Sequence, residues 1–86
     1  MHLDEKRIRI AAQLYETRDR MRRLCGDRYR FLAADCRPKI DGVMKRDHCG
    51  VLAAAQTIAA KGVDDGHPMV AWMVLACAVE MLEPSE

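Results

Sequence analysis

The sequence predicts an all-α protein, a small antiparallel bundle of three to four helices that associates with copies of itself. Composition is the first indication. β-branched residues are few beside the helix formers Ala, Leu, Met, Arg and Glu, and only three prolines interrupt the 86 residues. Spacing is the second, because apolar residues recur close to every 3.6 positions. The third is punctuation. The breaks are few and short, as expected for helices joined to their neighbours by tight turns. The whole chain, 1–86, is expected to form one domain. A chain this short buries only about 60–65% of its unfolded surface, so its core is marginal and self-association would add to it.

The first helical segment starts at Asp4, a good N-cap, with Leu3 and Ile8 placed as a hydrophobic staple. Its stripe runs through Ile10, Leu14, Met21, Leu24, Phe31 and Leu32. Gly26 falls inside this pattern and is a place for the helix to split, and Pro38 is expected to end it. The second segment begins at Pro38 and carries Ile40, Met44, His48, Val51, Ala55 and Ile58 on one side. Gly62 reads as its stop, with Val63 folding back towards Ile58. "VDDGH" follows as a polar loop. The third segment opens near His67 or Pro68 and closes before Pro84.

This last segment, "PMVAWMVLACAV" and onward, is apolar on every side. Trp72, Leu75, Val79 and Leu82 form one seam, and Val70, Met73, Val74, Cys77 and Met81 cover much of the rest. A helix with no polar face must be buried all round, and two neighbours do not easily enclose it. Either Gly26 splits the first segment and short helices surround this one, or the helix meets its own copy; the shortness of the chain favours the second, and the seam Trp72, Leu75, Val79 and Leu82 is then the expected oligomer interface. The run is too short for a membrane span, which takes about 20 residues, so no membrane partner is expected. No secretory leader is visible, because "DEKRIR" puts charge where an apolar stretch would have to lie. A cytoplasmic protein with reduced thiols is the expectation.

Net charge is +1, but its distribution is uneven. Residues 1–30 hold nine Lys or Arg against five acids, giving +4, and residues 61–86 hold one Lys against five acids, giving −4. Such a split suits an anionic partner at one end, or basic and acidic ends meeting inside an oligomer.

Four cysteines and three histidines raise the question of chemistry, most directly at "KRDHCG", where His48 adjoins Cys49. Adjacent helical residues point about 100° apart, so this pair cannot act as nucleophile and base towards each other. The unbroken stripe through His48 favours a continuous helix with an inert thiol. If Asp47 capped a new helix instead, Cys49 would fall in its first turn, where a thiol is more acidic. Zinc modules show ligands at C-x₂₋₄-C or H-x₃₋₅-H spacing, and the gaps from Cys25 to Cys36 to Cys49 do not match. Convergence of Cys25, Cys36, His48 and Cys49 in space stays open. Buried free cysteine, acting as a small hydrophobe, is the simpler reading. No phosphate-binding, dinucleotide, nucleophile-elbow or metalloprotease motif is present. No catalytic residue, metal ligand set or cofactor is expected.

Arg9, Arg20, Arg23 and Arg30 read as a solvated face, with Glu16–Arg20 and Arg23–Asp27 placed to pair. The flank is different. Tyr15, Arg18, Arg22 and Tyr29 fall together at offsets of 3, 7 and 14 on a straight helix, with no acid among them. Tyr and Arg are enriched at binding hot spots, so these four are the candidate partner-binding residues. The alternative is that both rings complete the core edge beneath the arginine stems. A helix-turn-helix reader of DNA is not supported, because the last segment offers no Arg, Lys, Asn or Gln to base edges.

The expected function is that of a non-enzymatic binding protein with a protein partner. It would act as an adaptor or as an inhibitor of a larger machine, as small accessory proteins of phages and mobile elements do. The alternative is binding of nucleic acid or a phosphorylated ligand through the arginine helix, and the third is a thiol- or zinc-dependent regulator.

Overall fold

The computed structural model describes residues 5–82, with side chains for Arg9 and for 12–82. Helix α1 spans Glu5–Cys25, and a 3-10 turn at Gly26–Arg28 leads into α2, Tyr29–Asp47. Helix α3 is Val51–Asp64 and α4 is Pro68–Leu82. No strand occurs among the described residues. Asp4 and Leu3, the expected cap and staple, lie outside them.

Gly26 does split the first segment. It adopts a positive φ of 56°, a conformation in which a Cβ would be strained. Pro38 does not end the helix, contrary to the sequence reading. Helix α2 runs through it. The proline removes one N–H that would have bonded the Ala34 carbonyl. Both Ala34 and Pro38 face solvent, so water can take that carbonyl. Cys36 and Ile40 are buried on the other side and hold α2 against the core.

The helix ends at His48 instead, so the continuous stripe expected through this residue is broken. His48 takes a left-handed conformation at φ 52°, and its N–H and that of Cys49 both reach the Met44 carbonyl. This is how helices usually close, with Gly or Asn in that position. Gly50, extended, then opens α3. Gly62 is not a stop either. It lies inside α3, and Gly66, at φ 80°, makes the left-handed turn. The His67 N–H bonds back to the Gly62 carbonyl at 2.7 Å. Val63 is exposed rather than folded back.

Helix α4 is in contact with α1, α2 and α3, whereas no close approach of α1 to α3 is found among the described residues. Its apolar circumference is thus covered mainly from within the chain. Ala71, Met73, Val74, Ala76, Cys77, Ala78 and Val79 are all buried. Met21 of α1, Ile40 of α2 and Ala54 and Ala55 of α3 complete the core. Among the described residues no helix is long and apolar enough to cross a membrane.

Candidate partner-binding site

Tyr15, Arg18 and Arg22 lie one turn apart along α1, as their spacing implies. Tyr29 lies beyond the 3-10 turn, so it is not on the continuation of that helix. The turn nevertheless returns it to Arg22, whose guanidinium carbon lies 5.5 Å from the Tyr29 ring centre. Arg18 sits over Tyr15 at 5.0 Å. Stacked pairs of this kind contribute roughly 0.5–1 kcal/mol at exposed sites.

The organising group is Glu80 on α4. One carboxylate oxygen accepts a hydrogen bond from Arg22 Nη2 at 2.7 Å and from the Tyr29 hydroxyl at 2.9 Å. Arg18 Nε lies 3.9 Å from the same oxygen and 3.4 Å from Asp19 Oδ1. A single acid therefore ties α1, the start of α2 and α4 together. Burial, reinforced by the bond to Glu80, pushes the Tyr29 hydroxyl well above the usual phenol range. Tyr29 is a core-edge residue. The Arg18 side chain is only 13% exposed, while that of Arg22 is 48% exposed. Tyr15 stays exposed. A recess of about 490 Å³ opens beside them, lined by Arg22, Gly26, Asp27, Tyr29, Arg30, Ala33 and Glu80.

The sequence reading missed Glu80. Two signals pointed to it. It is the single charged residue between Pro68 and Leu82, and such an acid in an otherwise buried helix requires a partner. The segregated charge supplied candidate cations, and the two ends meet here within one chain. The expected pairs Glu16–Arg20 and Arg23–Asp27 are not found among the ion pairs of the described residues. Among the described residues the only i,i+1 pairs closed by hydrogen bonds are Arg18–Asp19 and Arg46–Asp47.

The oligomer seam is divided. Val79 is buried within the chain and Leu75 is partly buried, forming the floor of a cleft of about 310 Å³ between α1 and α3. Trp72 and Leu82 remain 40% and 53% exposed.

All four cysteines are free thiols. Cys36 and Cys77 are interior. Burial pushes Cys77 up to about 11 and raises Cys36 as well, and Cys77 donates to the Ala33 carbonyl at 3.1 Å. His48 is exposed and Cys49 half-buried at the α2–α3 junction, whereas Cys25 and Cys36 line a groove beside α4. Among the described residues no three His, Cys, Asp or Glu side chains gather as a metal site would need. Compared with family models, curated proteins and solved structures, the chain matches none of them, and the site rests on its own geometry.

Proposed function

We propose that this chain is a non-enzymatic binding protein, an adaptor or inhibitor that grips a protein partner through the Tyr15–Arg18–Arg22 flank of α1. The observation that supports this reading is the stacked, Glu80-anchored arrangement of the two arginines on Tyr15 and Tyr29. Ordering a long side chain at an interface costs about 0.5–1.5 kcal/mol, and here much of that ordering precedes binding. Anion binding is the second reading, because Arg22 and Arg30 both line the recess. Glu80 and Asp27 share that recess and offset their charge, which favours a partner presenting mixed polar and apolar groups. Self-association is part of the proposal, since large apolar side chains stay exposed on α2 and α4.

Exchanging Arg18 and Arg22 for acids would set like charges against Glu80 and disturb the fold. The discriminating variants are therefore Tyr15→Ser and Arg22→Gln. Each should weaken capture of the partner from nuclease-treated host extract, at least about tenfold for a hot-spot residue. Arg9→Glu and Arg20→Glu should leave it unchanged. Equal capture by all four would refute the flank. Loss of the captured species on nuclease treatment, with a steep decline in affinity as salt rises, would instead establish the nucleic-acid reading.

A further inference from the structure

Phe31 is the most exposed of the large apolar side chains among the described residues, at 71%. Its sequence neighbour Leu32 lines a groove of about 310 Å³ between α1, α2 and α4. Its floor is Met21, Cys36 and Met73, all buried, and Leu32, Met69 and Val70 stand exposed around it. Asp35 and Lys39 border the same groove on α2. They are four residues apart, the spacing at which opposite charges pair along a helix. Neither takes part in an ion pair among the described residues.

We propose that this face of α2 and the start of α4 is the surface through which two copies of the chain associate about a two-fold axis. The inference rests on the self-association put forward above and names its surface. The charges indicate the occupant. A rim with one acid and one base a turn apart complements its own copy turned end for end. Two α2 helices running antiparallel, with the axis level with Arg37, set Asp35 of each copy against Lys39 of the other. A partner of one charge sign would meet like charge at one of the two. In an isologous contact every residue is used twice, so Phe31, Leu32, Met69 and Val70 contribute from both sides. Each buried phenylalanine removes about 150–250 Å² from water. Methionine adapts its shape to whatever apolar group covers it, so a groove floored by Met21 and Met73 tolerates the fit. The surface is separate from the Tyr15–Arg22 flank, and a dimer leaves that flank available.

Sedimentation equilibrium on the full chain tests the proposal. The unchanged protein should show twice the 9.7 kDa chain mass. Phe31→Ser should raise the dimer dissociation constant at least about tenfold, as loss of an anchoring interface aromatic does. Asp35→Lys and Lys39→Asp should each weaken association, and the double exchange Asp35→Lys with Lys39→Asp should restore it. All three positions are exposed, so circular dichroism should stay constant and separate association from folding. A monomer up to about 100 µM, a concentration at which most specific interfaces form, overturns both self-association and this surface. A dimer indifferent to these substitutions but lost in Trp72→Glu overturns the surface and moves association to α4. Single variants that weaken the dimer without rescue by the double exchange also overturn it.

Discussion

Glu80 apart, the middle of α4 and its two ends are both apolar in sequence but have different surroundings. From Ala71 to Val79 almost every side chain is buried, and three of these residues are alanines. Small side chains let α1, α2 and α3 approach closely enough to cover the helix. Near the ends stand Met69, Val70, Trp72 and Leu82, which are larger and remain exposed. A helix without a polar face thus does not by itself demand a second copy. What it demands is cover, and the size of its side chains decides how much of that cover one chain supplies.

The strongest way to break this comparison is a charge in the sealed part. Val74 is fully buried. Val74→Asp should unfold the protein, because an uncompensated buried charge costs more than about 3 kcal/mol, as loss of helical circular dichroism would show. The same change at Val70, in the exposed part, should leave the monomer folded.

Second in size is an alkaline loss of stability. The folded thiol of Cys77 is raised from 9.0 to about 11. Below pH 9 the thiol is neutral in both states and its contribution is complete. Between pH 9 and about 11 the unfolded thiol ionises while the folded one does not, so stability declines across that window. Tyr29 and Cys36, raised in the same direction, add to the decline. Urea unfolding at several pH values should show it, and Cys77→Ala should flatten it.

At the Glu80 anchor, Glu80→Ala leaves the partly buried Tyr29 hydroxyl and Arg22 without their acceptor. The expected loss is about 1–2 kcal/mol by chemical denaturation, moderated by solvent because Arg22 is half exposed. Glu80→Gln keeps an acceptor and should cost less.

The smallest effects lie at the turns. A Cβ on Gly62 would meet the His67 carbonyl oxygen at 3.4 Å and Ala71 Cβ at 3.7 Å, ordinary contact distances. Gly62→Ala should therefore stabilise by up to about 1 kcal/mol through helix propensity. His48→Gly removes the strain of a left-handed histidine and should raise the midpoint by a similar or smaller amount. Thermal melts would check both.

The helical class was legible in the sequence, as were the start of α4 near Pro68 and the buried positions Met21, Ile40 and Ala55; Gly26 was legible as a place to break, but one helix or two stayed open. Composition and a 3.6-residue period are local properties, and they suffice for these. Local rules misled at Pro38, Gly62 and His48. The proline and glycine penalties weigh about 1–3 kcal/mol in isolation, and burial of Ile40 and Cys36, or the packing of α3 on α4, outweighed them. At His48 the stripe continued in sequence although the backbone did not.

The tertiary structure alone decided which charges meet. Tyr15, Arg18 and Arg22 could be grouped from their spacing on one helix. Sequence could not place Glu80 among them, because the tie between Arg22 and Glu80 spans 58 positions and depends on how α4 lies across α1. The same holds for the groove that Leu32 borders. Its floor comes from three helices, and periodicity describes one helix at a time.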